Sequence, residues 1–252
     1  MPRLWKPLCI GLAVITLAFV SIFAASCGSS NTSYRVVDAI ANYDYTSTGG
    51  FDININGSIV FSGMLFGNIQ PSKNDNYQGA SSGNNALEVF PHNADVNGTE
   101  QGSPVINSSL GFGSGTQYTV LLMGNNTTNP YVAQPFTDNN AVPTTGDFEF
   151  RVIDASNNLT KNVDIYIVGS VGVVTGPNPP APSATLTFGQ ASGYISDASG
   201  TWWLVITNQH FHTPIVPPTS YAPSALQIRT IVLVDGPDGL GVGTPLVFND
   251  LN

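Results

Sequence analysis

Cysteine is almost absent from this chain, which has only Cys9 and Cys27. Cys9 lies inside an apolar run that reads as a removable leader, so no cysteine pair is left to staple the mature protein, and a disulfide framework is excluded. Charge is scarce as well. Only 9% of residues are charged, 7 basic against 16 acidic, for a net charge of -9. Without Arg3 and Lys6, 5 basic residues face the same 16 acidic ones, a balance of -11. Such a surface repels phosphates and anionic headgroups, so nucleic acid is not an expected partner. Amphipathic helical periodicity is also missing after residue 27. Hydrophobic residues make up 42% of the chain, enough for a core and unlike a disordered composition. The 26 Gly and 18 Pro punctuate short apolar runs, as in an all-β protein with many turns. The length suits two domains of about 100 residues each.

The N-terminus is the most specific local signal. Arg3 and Lys6 precede an apolar run from Leu8 to Ala25, which closes in Ala24-Ala25-Ser26-Cys27. This is the layout of a bacterial lipoprotein signal: cleavage before Cys27, whose thiol carries a diacylglycerol. The run from Leu8 to Ser26 has 19 residues, near the minimum for a membrane span. A plain anchor and an ordinary secretory signal are therefore the alternatives, though the small residues and absent flanking charge at its end favour cleavage. All three export the chain. The expected order is a signal peptide at 1–26, the lipidated Cys27 with a tether to 33, and repeats at 34–142 and 148–252. The expected location is the cell envelope, with the outer membrane or cell surface favoured.

The chain repeats itself. Tyr34-Arg35-Val36-Val37-Asp38-Ala39 returns 116 residues later as Phe150-Arg151-Val152-Ile153-Asp154-Ala155. Phe51 to Ile55 returns as Val163 to Ile167, and Phe66-Gly67 as Phe188-Gly189. Tyr118 to Leu122 returns as Arg229 to Leu233, and Phe136 to Asn140 as Phe248 to Asn252. Five matches in one order indicate a duplicated domain. Alternation with period two puts Phe51, Ile53 and Ile55 toward a core and Asp52, Asn54 and Asn56 outward, with Val163, Ile165 and Ile167 as counterparts. Trp202 to Ile206 is apolar on both faces, which suits a central strand or one whose outer face meets the other domain. The copies diverge in the loops from Asn68 to Asn85 or Asn93 to Gly115, from Gly176 to Ser183, and from Asn208 to Ala225. Loops of this kind carry binding functions on sandwiches.

These ordered elements resemble the bacterial family named domain of unknown function 4397. The resemblance rests on Arg35 to Ala39, Phe51 to Gly57, Phe66-Gly67 and Gln117 to Gly124 in the first copy. In the second it rests on Arg151 to Ala155, Val163 to Gly169, Phe188-Gly189 with Tyr194, Gly200 to Trp203, and Ile228 to Gly236. It implies two tandem immunoglobulin-like antiparallel β-sandwiches in an exported, often lipid-anchored protein. It implies no known activity. The family's Ser-Pro-Asp-Ala-Pro segment is replaced here by Ile40 to Asp44 and by Ser156 to Leu159.

Catalytic signals are weak. Gly79-Ala80-Ser81-Ser82-Gly83 fits a hydrolase nucleophile pattern, but it sits in a Gly/Ser/Asn-rich loop with no helix after it. His210 and His212 are two apart and would share a strand face, with His92 at a similar place in the first copy, yet no third ligand lies close in sequence. Asp235 to Gly239 reads as a turn rather than a calcium loop. The Arg35/Asp38 and Arg151/Asp154 pairs read as structural, each Arg holding a nearby carboxylate or loop carbonyls. No catalytic residue, metal or cofactor is expected. The expected function is a non-catalytic binding, adhesion or structural module, anchored to a membrane through Cys27 and engaging a protein or glycan ligand. The candidate binding loop is His210, Phe211, His212 and Tyr221, with Trp203 as a further stacking platform. An envelope hydrolase or metalloenzyme is the rival class.

Overall fold

The computed structural model describes residues 32–71, 77–92, 102–159 and 161–251. Cys27 and the tether as far as residue 31 lie outside these residues, whereas Ser33, the expected end of the tether, is the first residue of strand Ser33–Asp38. The first half contributes β1 (Ser33–Asp38), β2 (Phe51–Ile55), β3 (Ser58–Met64), β4 (Ile69–Gln70), β5 (Gln78–Gly79), β6 (Gly83–Pro91), β7 (Ile106–Phe112), β8 (Gln117–Met123) and β9 (Val132–Thr137). The second contributes β10 (Asp147–Asp154), β11 (Val163–Val168), β12 (Ala184–Leu186), β13 (Ile195–Ala198), β14 (Trp202–Asn208), β15 (Thr219–Tyr221), β16 (Ile228–Leu233) and β17 (Leu246–Leu251). The described helix is confined to two four-residue turns, Tyr45–Thr48 and Gly172–Thr175.

Each half is a sandwich of two sheets with the same strand order. In the first half the sheets run β4-β1-β8-β9, with β5 also on β1, and β3-β2-β6-β7. In the second they run β13-β10-β16-β17 and β12-β11-β14-β15. The sandwich expected from the alternating pattern is therefore present in both halves. One ladder in each departs from a wholly antiparallel arrangement: β1 pairs with β8, and β10 with β16, in parallel. Parallel strands need a long crossover, and no local turn signal marks such a pairing.

Residue alternation explains the layering. On β1, Tyr34 and Val36 enter the first sandwich core, while Arg35 and Val37 point the other way. On β8, Tyr118, Val120 and Leu122 face that core, and Leu121 and Met123 the opposite side. Strands β10 and β16 repeat this, with Phe150, Val152, Ile231 and Leu233 inward and Ile153 and Val232 outward. The outward sets of the two halves meet in one buried cluster that includes Val37, Leu121, Phe136, Ile153, Val232 and Phe248. Each such side chain fully buried is worth about 1.5–3 kcal/mol. The two sandwiches thus share a third core where their sheets face each other.

The reading of Trp202 to Ile206 resolves to its first alternative, a central strand, and two other expectations change. The strands whose outer faces meet the other half are β1, β8, β10 and β16. Strand β14 is central in its sheet, between β11 and β15. Its outer residues Trp203 and Val205 pack with Tyr166, Val168 and Val174, under the helical turn of their own half. Nor are the outward residues of β2 in water. Ile53 is a core residue as expected, but Asp52 and Asn54 are buried too, because Ser62 and His92 close over Asp52. Finally, β7 lies within the stretch from Asn93 to Gly115 that the sequence presented as divergent loop.

The repeated residues converge at the interface between the halves. Arg35 donates from Nε to Thr119 Oγ1 at 3.0 Å, from Nη1 to the Asn249 carbonyl at 2.7 Å, and from Nη2 to Asp250. Arg151 donates from Nε to Thr230 Oγ1 at 2.8 Å, from Nη1 to the Thr137 carbonyl at 2.8 Å, and from Nη2 to Asp138. Tyr77 and Tyr194 hydroxyls donate to Asp138 and Asp250 at 2.8 and 2.7 Å. Each arginine therefore grips the last strand of the other half. The reading of these residues as structural holds: each Arg takes a carboxylate and a backbone carbonyl, and they come from the other half rather than from the Asp three residues on. Strand residues three apart face opposite sides, so Asp38 turns toward Ile40 N and Tyr45 Oη instead. Burial alone would lower the Arg151 pKa, but the Asp138 charge more than offsets this and raises it.

Candidate functional site

The candidate loop begins where β14 ends. Gln209 N donates to the Asn162 carbonyl and Phe211 N to the Asn208 carbonyl, each at 2.9 Å. Asp164 on β11 is buried and pins the turn by accepting from His210 N at 2.9 Å. His210 takes a left-handed φ of 67°, which reverses the chain. Ile215 N then returns to the Ile206 carbonyl at 2.9 Å. This scaffold holds Phe211 outward, 65% exposed. Beside it lies an open depression of about 420 Å³ lined by Lys161, Asn162, Asn208, Gln209 and Phe211. The volume is within the ~300–1,000 Å³ range of small-ligand sites. An aromatic face next to three amides can take an apolar ring surface and hydroxyl groups together.

The four candidate loop residues do not form one surface. His210, Phe211 and His212 follow the C-terminal end of β14. His212 turns its ring edge toward Tyr166, with ring centroids 6.4 Å apart. Tyr221 pairs with Trp202 at the other end of the same strand, roughly 20 Å away at the rise of a β-strand. It packs against the second core, and burial pushes its hydroxyl up to about 12. Its place as a loop platform is therefore corrected to a packing role, and Trp203 is likewise half-buried beneath the Val174 turn. Phe211 alone of the three aromatics stands free. Asn208 and Gln209 open the divergent loop read from sequence, whereas Lys161 and Asn162 were not singled out. The signal for them was their position flanking β11 and β14, which becomes visible only when the two strands pair.

The other sequence candidates resolve geometrically. Gly79 to Gly83 links β5 to β6 with strand, not helix, after it, so Ser81 is not on a strand-to-helix elbow. His92 belongs to the first half. Its Nδ1 lies 2.8 and 2.9 Å from the two Asp52 oxygens, and it does not join His210 and His212. Among the described residues no group of three His, Cys, Asp or Glu side chains could hold a metal ion. Ser62 completes a Ser-His-Asp grouping that the sequence did not reveal. Its hydroxyl donates to Asp52 Oδ1 at 2.6 Å and sits 3.3 Å from the same His92 Nδ1. A serine nucleophile needs the other imidazole nitrogen, with the carboxylate on Nδ1. This arrangement therefore holds Asp52 in place rather than activating Ser62. Asp235 accepts from Ser156 Oγ, Asn157 N, Asn157 Nδ2 and Asn158 N, which binds the 156–158 loop and uses the oxygens a calcium ion would need.

The family model of the domain of unknown function DUF4397 matches residues 33–166, more than half of the chain. No curated protein matches the sequence. A solved structure described as alpha-glucan binding by a streptococcal virulence factor aligns over 81% of this chain and 94% of its own. Its identity is 10% and its TM-score 0.25.

Proposed function

We propose that this chain, which belongs to the DUF4397 domain family, is a lipid-anchored envelope protein that works as a non-catalytic glycan-binding module. The exposed Phe211 ring beside the amide-lined depression is the observation that carries the reading. Side-chain amides each present two donors and one acceptor, which match the paired hydroxyls of a sugar, while an aromatic ring covers its C–H face. The loop is braced by backbone bonds and by Asp164, so little order has to be gained on binding. The Ser62-His92-Asp52 geometry gives a hydrolase no support. The anchor reading rests on the Ala24-Ala25-Ser26-Cys27 stretch after the apolar run.

Two measurements test the two parts. Metabolic labelling with a lipid analogue should mark the wild-type protein and leave Cys27→Ala unmarked; equal labelling of both would remove the anchor from the proposal. For the site, the detergent-solubilised full chain should capture polysaccharide from an extract of the producing cell's envelope. Phe211→Ser should abolish that capture with a melting temperature nearly unchanged, because the ring is mostly in solvent. Capture that survives in this variant sinks the site.

A further inference from the structure

The geometry points to a carboxylate-bearing saccharide, a uronic-acid sugar, as the ligand of the Phe211 depression, with the Lys161 ammonium as its anion partner. This rests on the reading of that depression as the glycan site. The argument begins with where the cations are. Arg35 and Arg151 are buried between the halves. Arg229 is half-buried and donates to Gln227 Oε1 at 3.0 Å. Lys161 is the one exposed cation among the described residues, and it has neither a hydrogen bond nor an ion pair there. The chain carries 16 acidic residues, so an unpaired ammonium is not explained by a shortage of carboxylates.

The lining around Lys161 is equally selective. Among the described residues no Asp or Glu belongs to it, only Asn162, Asn208, Gln209 and Phe211. The nearest acidic residue along β11, Asp164, is buried with its oxygens already engaged. Its Oδ1 accepts from Thr185 Oγ1 at 2.6 Å and its Oδ2 from His210 N. Among its described residues a chain of net charge -9 thus presents one locally cationic hollow, next to the exposed Phe211 ring. An ammonium recognises a carboxylate through a charge-assisted hydrogen bond, about twice as strong as a neutral one. The three amides answer hydroxyls and the phenyl face answers ring C–H groups. A peptide with a terminal carboxylate would use Lys161 but leave the amide row without matching hydroxyls, so the sugar is favoured. The general repulsion from an acidic surface limits the ligand to a short acidic end rather than a long polyanion.

The test is calorimetric titration of the detergent-solubilised full chain with tetragalacturonate, with its neutral methyl ester, and with an acidic tetrapeptide. Wild type should bind the acid about tenfold or more tightly than the ester, and added salt should weaken only the acid. Lys161→Gln should bring the two sugars to equal affinity, and Phe211→Ser should lose both. Equal wild-type affinity for acid and ester overturns the carboxylate inference and leaves the glycan site standing. Binding of the peptide alone overturns the saccharide. Retention of sugar binding by Phe211→Ser, or no binding of either sugar by wild type, removes the inference; in the first case the site falls with it. The exposure of Lys161 and Phe211 means that both variants should fold, which their melting curves check.

Discussion

Asp250→Ala should lower the unfolding free energy by about 3–5 kcal/mol, and Asp138→Ala by a similar amount. Both carboxylates are fully buried between the two halves, and each faces several donors. Truncating Asp250 takes the carboxylate away from Arg35 Nη2, the Tyr194 hydroxyl and the Thr230 hydroxyl. Truncating Asp138 does the same to Arg151, Tyr77 and Thr119. An uncompensated buried charge accounts for most of the loss, since both side chains of the Arg35–Asp250 pair are wholly inaccessible to solvent. The two sites also touch. Arg151 Nη2 reaches Thr119 Oγ1 at 3.2 Å, and Arg35 Nη2 lies 3.9 Å from Asp138. The double variant should therefore cost measurably less or more than the sum of the singles. Arg35→Met combined with Asp250→Leu, which removes both charges and keeps apolar volume, should recover much of the stability. Urea denaturation of the four variants reads all of this. Losses below about 1 kcal/mol for both single variants would mean that the arginines are not held by these carboxylates.

The residues of this interface were visible in the sequence as equivalences and invisible as contacts. Arg35 matches Arg151, Thr119 matches Thr230, Asp138 matches Asp250, and Phe66 matches Phe188. A repeat states which positions correspond. It does not state that each arginine crosses to the other copy, because that depends on how two sheets face each other. The same limit explains the burial on β1 and β8. The apolar runs Val36-Val37 on β1 and Val120 to Met123 on β8 record two covered faces, and only the packed structure says that the second cover is the other half. Strand β14 has the same character for a different reason, a helical turn that covers it locally. Strand β7 escaped notice because Asn107, Ser108 and Ser109 dilute its apolar alternation. At the candidate site, sequence found the loop through its clustered aromatics and histidines. It then joined Tyr221 to Phe211 along the chain, although strand pairing sends them to opposite ends of β14.

The protein should be more stable at pH 4.5 than at pH 8, the reverse of the usual preference for neutral conditions. Burial pushes Asp38 and Asp154 up from 3.8 to about 7. Bonds from Ile40 N and Tyr45 oppose this at Asp38. At Asp154 the bond from Ser156 N opposes it, while the nearby Asp235 charge adds to it. The folded state therefore holds protons that the unfolded chain releases. For a group with a raised folded pKa, the stabilisation is complete below about 3.8 and is lost as pH rises to about 7. Each group contributes on the order of 2–4 kcal/mol across that window. Asp52 sets the lower limit. Burial alone would raise its pKa, but bonds from Ser62, His92 and Gly63 lower it below the ordinary carboxyl value. Its contribution is present above the unfolded pKa and disappears as pH falls further, so the maximum lies near pH 4 to 5. Asp154→Asn isolates the effect. The amide oxygen can still accept from Ser156 N, and the Oδ2 position has no bonding partner to lose. The variant should shrink the stability difference between pH 4.5 and pH 8 by about half, and Asp38→Asn with Asp154→Asn should nearly flatten it. The slope that survives in the double variant measures relief of the net negative surface charge alone. A wild-type unfolding free energy that rises from pH 4.5 to pH 8 would show that these two carboxyls are ionised in the folded protein.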